Sequence, residues 1–362
     1  MLSPKTKRNI ARIIPFGIIW LLVGWFVLFI QEAAIENQSV ITSGVIALTI
    51  EVFVFASIAV FFVGLLVGSI EVLWLESLFG QKSLSKKILY KTGFYTVFML
   101  IVIGITYPIA AGLEMSVSPF DKSVWQRFSD YLSTLDFLST LASMCFSLFL
   151  CFFFAGISDN LGHGVLMNFF TGKYHRPTEE DRIFLFCDMK HSTTIAERLG
   201  HVKYFELLRK YYSDFSDSII RHSGEIYQYI GDEIVISWKS EDGIKNNNCI
   251  SCFYAMKEDL KKNADRYRSN YGVAPTFKAG LHLGKVTTGE IGALKKEIIF
   301  TGDVLNTTAR IQGLCNQLNV DILVSEDLVK VLPPTNPFKV VSMGTTELKG
   351  KEQKMELFTT EL

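Results

Sequence analysis

The chain has no excess of charge of either sign. Its 362 residues hold 36 Lys and Arg against 36 Asp and Glu, so it lacks the global basic field that draws a protein to nucleic acid. Cysteine is scarce, six in all, and the six form no disulfide framework: Cys145 and Cys151 lie in an apolar run, while Cys187, Cys249, Cys252 and Cys315 are scattered further along. Cys249 and Cys252 have CxxC spacing, but no second pair and no nearby histidine completes a zinc site. They read as small buried residues of a helix in a reducing cytosol.

What is present divides sharply. Up to about Phe154 the chain is dominated by Ile, Leu, Val and Phe, and from Thr178 it has ordinary globular composition. The mean hydropathy of +0.27 averages two unlike parts. The division predicts a membrane domain over residues 1–158, a connector over 159–180 and a soluble domain over 181–362, the last long enough to bury a core of its own.

A helix needs about 20 mostly apolar residues to cross a bilayer. Four stretches qualify, at about 13–30, 47–70, 93–111 and 135–157. Pro15 falls in the first turn of the first, and Glu51 near a membrane surface in the second. The first apolar core is longer than a cleavable signal requires. Basic residues set the orientation: Lys5, Lys7, Arg8 and Arg12 precede the first span, and Lys82, Lys86, Lys87 and Lys91 lie between the second and third, whereas QEAAIENQ between the first two has none. Both termini therefore face the cytoplasm of a multi-pass protein of the plasma or inner membrane. The connector, closed by Pro177, carries no heptad repeat and no Gly/Ser tract, so motion of the spans would reach the soluble part with little slack. His163 within it has no second ligand nearby and reads as an interfacial residue.

The soluble part alternates strands and helices. IFLFC (183–187) is a continuous apolar run typical of a buried strand and ends in Asp188. A helix follows to about Ile220, then a hairpin, EIYQYI and EIVISW, turning at Gly231-Asp232. A long helix (about Asn247–Tyr267), the strands FKAGLHLG and KVTTGEI, and a helix from about Val304 to Gln317 come next. This mixture predicts an α+β domain on a mostly antiparallel sheet. If the strand ending in Asp188 neighbours the Asp232 hairpin, the two carboxylates can converge on divalent metals. Hard oxygen ligands suit Mg²⁺ or Mn²⁺. Each feature alone is common, since Gly-Asp is ordinarily just a turn.

Five segments in order make a stronger pattern: FLFCDMKHST, GEIYQYIGDEIVISW, FKAGLHLGKVTTGEIG, GDVLNTTARIQGL and ELKGKEQKMELF. Together, over about Asp181 to Phe358, they resemble the catalytic domain of the class III adenylyl and guanylyl cyclases. The resemblance implies a ferredoxin-like α+β fold and a cyclic nucleotide as product. It also implies a role for each matching residue. Asp188 and Asp232, with the carbonyl of Met189, would hold two divalent metals. The amides of the turn 190–194, including Ser192 and Thr193, would cradle the triphosphate at a helix start. Lys285 would contact phosphate, Asn306 would orient the ribose, and Arg310, four residues on and on the same helix face, would neutralise charge at the attacked phosphorus. Lys351, in preference to Lys349, would hold the departing pyrophosphate. His191 reads as a solvent-facing turn residue, because the family chemistry needs no histidine.

In this family the site is shared between two chains, and both sets of residues occur once in this sequence, so the resemblance implies a homodimer with two equivalent sites. Base recognition departs from the family pattern. Gln228 and Ile299 stand where adenylyl members carry lysine and aspartate or threonine, and where guanylyl members use glutamate in the hairpin. A glutamine amide reads either purine by turning over, and Ile299 offers no hydrogen bond. The acidic acceptor that guanine wants is missing, so the expectation is ATP and a membrane-bound adenylate cyclase; the alternatives are a guanylate cyclase and a catalytically silent membrane sensor.

Overall fold

Apolar runs that must satisfy every backbone N–H internally become helices. In the computed structural model, which describes residues 2–36, 46–75, 78, 84–161, 168, 171–293, 296–333, 337–347 and 354–361, the N-terminal half is α1 (Pro4–Glu36), α2 (Ile50–Ile70, prolonged by a π turn, Glu71–Leu75), α3 (Leu84–Met115), α4 (Lys122–Tyr131) and α5 (Leu135–Leu161). Four segments are long and apolar enough to cross a membrane: Pro4–Gln31, Ile50–Leu75, Tyr90–Met115 and Leu135–Ser158. The chain divides into two compact units, one of residues 6–161 and one built on residues 162–362 with residues 1–5.

Each helix is close to its expected position, with local differences. Helix α1 starts nine residues before the apolar run, at Pro4, because the good helix formers Lys and Arg ahead of Ile13 continue the pattern. Pro15 is consequently inside the helix, where it removes one backbone hydrogen bond, and not in its first turn. Thr49 caps α2, accepting from the Val52 amide at 3.3 Å, and places Glu51 in the first turn, exposed. Helix α4 lies in a connection for which no element was expected. Gly64 and Gly68, four apart, bring α2 against the α1 backbone: a Cβ on Gly64 would lie 2.7 Å from the Phe16 carbonyl oxygen, the close approach typical of small residues in membrane helices. Buried Glu71 is paired with Lys91 and accepts from Tyr95 Oη at 3.0 Å, so the charge inside this bundle has partners. His163, with residues 162–167, 169 and 170 of the connector, lies outside the described residues.

The second unit is a single sheet with helices on both faces. It begins with β1 (Thr178–Met189), whose inward alternation runs in two directions at once. Ile183, Leu185, Cys187 and Met189 join the larger core, while Phe184 and Phe186 join a smaller one on the other face; a strand covered on both sides reads as a continuous apolar run. The chain proceeds through α6 (Ser192–Leu199), α7 (His201–Arg221), β2 (Glu225–Ile230), β3 (Glu233–Lys239), α8 (Ser240–Ile244), α9 (Asn248–Lys262), α10 (Ala264–Tyr271) and β4 (Phe277–Ile291). Strand order β2-β3-β1-β4, with antiparallel neighbours throughout, is the ferredoxin-like βαββαβ arrangement. Next come β5 (Glu297–Thr301), α11 (Asp303–Gly313), β6 (Ile322–Ser325), α12 (Glu326–Val329), β7 (Lys339–Glu347) and β8 (Lys354–Glu361). Among the described residues the one parallel pairing is β4 with β6.

Helices α7 and α9 cover the larger core through Leu207, Tyr211, Phe215 and Ile219, and through Cys249, Cys252, Phe253 and Met256. Both CxxC cysteines are therefore buried core residues, as their spacing on a helix suggested. The long helix expected over 247–267 is broken at Asn263 into α9 and α10. FKAGLHLG and KVTTGEI are one unbroken 15-residue strand, not two; the antiparallel ladder with β1 runs on across Gly284, which pairs with Arg182. The helix expected over 304–317 ends at Gly313.

Helix α11 packs on the smaller core, close to β4, because Gly280 has no side chain. A Cβ there would stand 2.5 Å from the Gln312 amide nitrogen. Gly280→Ala is expected to cost about 1–3 kcal/mol through overpacking, seen as a lowered thermal midpoint of the second unit. Gly313→Ala, with nothing within 4 Å of its Cβ, is expected to be neutral in the same measurement.

Candidate active site

Asp188 is the next-to-last residue of β1 and lies on the same face as Phe184 and Phe186 by strand alternation. Its register partners are Glu233 on β3 and Lys278 on β4. Its Oδ2 accepts from Gln312 Nε2 at 3.2 Å and lies 3.4 Å from Lys278 Nζ. Asp232 occupies the β2–β3 turn after Gly231, whose φ of 63° is left-handed and so favours glycine. The two aspartates do converge. Burial, and after it the hydrogen bond with Asp232 and that residue's charge, raise the Asp188 carboxyl above its ordinary range. Glu233 is pushed up to about 7, by burial first and then by the charges of Asp188 and Asp232. Asp232 Oδ2 is buried without a hydrogen-bond partner.

This donor set fits a divalent cation. Two hard carboxylates meet, one buried oxygen is orphaned, and neighbouring acids are held at the cost of raised proton affinity, all of which a bound cation would relieve. Among the described residues no group of three or more His, Cys, Asp and Glu is placed to hold a metal, so further ligands would come from backbone, water or phosphate. Met189 has its side chain buried in the larger core, which leaves only its carbonyl for such a role.

The turn after β1 opens helix α6 at Ser192, with His191 left-handed at φ 57°. The Lys190 amide is already committed to the Thr276 carbonyl at 2.8 Å, so it drops out of the expected cradle 190–194. The amides of Ser192, Thr193 and Thr194 are at the helix start, where no intrahelical acceptor exists. Tyr204 of α7 approaches this turn and is hydrogen-bonded to Ser192; burial and the two aspartates push its hydroxyl up to about 12.

Asn306 and Arg310 ride on α11. The sheet-facing positions of that helix are Val304, Thr307, Thr308, Ile311 and Gln312, leaving Asn306 exposed and Arg310 half-exposed on the outer stripe. Within one chain they are turned away from the aspartates, whereas Gln312 is turned towards them. Gln228 is exposed on edge strand β2, beside a bulge, and Ile299 is half-buried on β5 opposite Gly289. Their strands are drawn together by Tyr227 and Phe300, with ring centroids 4.8 Å apart and a 3.3 Å hydrogen bond from the Phe300 amide to Tyr227 Oη. Buried Arg182 lies 4.5 Å over the Phe300 ring and donates to Glu180 at 3.0 Å, Glu225 at 3.0 Å and Ser237 at 2.8 Å, the full set of partners a buried guanidinium requires.

Lys285 is not brought to the aspartates. It pairs with Asp181, seven residues along β4 from Lys278, and alternation puts it on the side of Leu281 and Leu283, the opposite face of the sheet. Lys278 occupies the place expected of Lys285. The signal was available, because antiparallel pairing of FKAGLHLG with FLFCDM sets Lys278 across from Asp188. Gln312, Glu233 and Tyr204 were also not singled out by the sequence. Lys349 and Lys351 lie outside the described residues.

The sequence pattern of the adenylate and guanylate cyclase catalytic domain matches residues 175–361. The chain belongs to that family. It is 36% identical over 203 residues to adenylate cyclase 2 of Rhizobium meliloti (strain 1021), a match covering 56% of each chain. It is 28% identical over 181 residues to the adenylate cyclase of Anabaena cylindrica, covering 48% of this chain and 35% of that one. It thus spans about half or less of the length of these curated relatives. A bacterial light-regulated adenylyl cyclase of known structure is 22% identical with a TM-score of 0.46, over 51% of this chain and 52% of that one.

A carboxylate whose folded-state pKa is raised gains a proton on folding. Stability from Glu233 is therefore lost as pH rises from its ordinary 4.5 through about 7. With metal chelated, the melting midpoint is expected to fall between about pH 5 and pH 8, and Glu233→Gln to flatten that fall. Equal slopes in the two proteins, followed by differential scanning calorimetry, would contradict the assignment.

Proposed function

We propose that the chain is a membrane-bound adenylate cyclase, converting ATP to 3′,5′-cyclic AMP and pyrophosphate for intracellular signalling. The observation that carries this reading is the convergence of Asp188 and Asp232 beside Lys278, with Asn306 and Arg310 on an outward helix face. Family membership and the adenylate cyclases among its relatives support it.

In the reaction the ribose 3′-oxygen bonds to the α-phosphorus in line, the bond to the bridging oxygen of pyrophosphate breaks, and the hydroxyl proton passes to water. Asp188 and Asp232, with the Met189 carbonyl, would hold two Mg²⁺ or Mn²⁺ ions, which would supply positive charge for the 3′-oxygen and the phosphates. Lys278 neutralises phosphate beside Asp188 in the role first assigned to Lys285. The amides at 192–194 add donors at a helix start. Asn306 orients the ribose and Arg310 neutralises charge at the attacked phosphorus. Because these last two face away from the aspartates of their own chain, they act on the site of a second copy, so the enzyme is a homodimer with two shared sites. Gln228 meets the adenine edge against Ile299, and no carboxylate stands there to accept from guanine. The four apolar helices cross the cell membrane, with the basic N-terminus and the catalytic unit in the cytoplasm.

The full chain in detergent, supplied with Mn²⁺ and either ATP or GTP, is expected to release cyclic AMP. No cyclic product from either would sink the enzyme reading, and cyclic GMP alone would select the guanylyl reading. Asp232→Ala should abolish activity and Arg310→Ala should lower it by about 10²–10³. Mixed as co-expressed chains, the two should regain roughly a quarter of parent activity, since half the random dimers contain one intact site. Lys278→Ala should reduce kcat/KM by about 10–100-fold, the worth of a charged hydrogen bond; Lys285→Ala should change it less than about twofold.

A further inference from the structure

Helix α7 passes both loops of the aspartate site, and two of its tyrosines reach one loop each. Tyr204 is hydrogen-bonded to Ser192 in the turn after β1. Tyr212, two turns further along the helix, donates from Oη to the Gly231 carbonyl at 2.8 Å and lies 3.3 Å from the Glu233 carbonyl. Those two carbonyls flank Asp232. The Tyr212 ring is braced against Tyr229, with centroids 4.6 Å apart, while the neighbouring Tyr211 and Phe215 fix the helix in the larger core. The hydroxyl is thus delivered from a rigid element to the tip of a hairpin whose ladder ends at the Ile230–Glu233 pair. Gly231 is left-handed, glycine is the most permissive backbone residue, and Asp232 Oδ2 has no hydrogen-bond partner of its own.

We propose that Tyr212 is a positioning residue for the cation site: its hydroxyl fixes the backbone on both sides of Asp232, so that this carboxylate is pre-set to meet Asp188. The proposal rests on the reading of the two aspartates as metal ligands. Outer partners of metal ligands commonly account for a 10–100-fold effect on metal affinity. Tyr212 acts on a ligand's backbone instead of its side chain, so the lower end of that range is expected.

The test uses the full chain in detergent titrated with MnCl₂, the free ion being read from its electron paramagnetic resonance amplitude, with no nucleotide and no turnover. Tyr212→Phe keeps the ring against Tyr229 and removes only the hydroxyl. Its Mn²⁺ dissociation constant should rise about tenfold, with the melting midpoint of the metal-free chain unchanged. Asp232→Asn, which removes a ligand, should lose the site altogether. Tyr212→Phe binding Mn²⁺ as tightly as the parent, while Asp232→Asn does not, would overturn the role of Tyr212 and leave the metal site standing. A melting midpoint that falls in step with affinity would mark the hydroxyl as a general stabiliser and overturn it equally. A parent that binds no Mn²⁺, or Asp232→Asn that binds as the parent does, would remove the site reading and this proposal with it.

Discussion

Two carboxylates forced together at the end of a sheet are the constraint on which the rest depends. Asp188 is carried there by a strand covered on both faces, and Asp232 by the hairpin next to it. The neighbours do not compensate fully: Lys278 and Gln312 both address the same oxygen, Oδ2 of Asp188, and Glu233 adds a third acid whose proton affinity is raised. A fold that sought only stability would have little reason to collect such charge. Pre-arranged negative charge is instead what a site for hard cations requires, and the orphaned Asp232 oxygen marks where it is least satisfied.

In the proposed reading the same sheet also accounts for the need for a second chain. Helix α11 uses one face to close on β4 through the gap left by Gly280, and that face brings Gln312 to Asp188. Asn306 and Arg310, on the other face, cannot serve the aspartates beneath their own helix. In the proposed reading they serve a second copy, and base-reading Gln228 and Ile299 belong to the same half of the site, coupled through the Tyr227–Phe300 contact.

Much of this was legible in the residues. The apolar runs located the four long apolar helices to within a few residues at most ends, and the continuous run IFLFC signalled a buried strand ending in Asp188. Capping and continuation were less visible: polar Lys and Arg extended α1 past the apolar boundary, so Pro15 became internal. FKAGLHLG and KVTTGEI were expected as two strands and are one, and the lysine that the resemblance assigned to phosphate, Lys285, is not the one beside Asp188. The register of that single strand puts Lys278 opposite Asp188. Gln312 and Tyr212 were invisible for a different reason. Their importance comes from what a helix is packed against, which spacing along that helix does not encode.

The central claim is that the aspartates of one protomer and the Asn/Arg helix of another enclose the same nucleotide. Anomalous diffraction from crystals of the full chain grown with Mn²⁺ and a non-reacting ATP analogue tests it most directly. The account predicts manganese peaks between Asp188 and Asp232, with Arg310 of a second copy at the α-phosphate. Manganese elsewhere, or a triphosphate contacted by Arg310 of the same chain that supplies the aspartates, would contradict it.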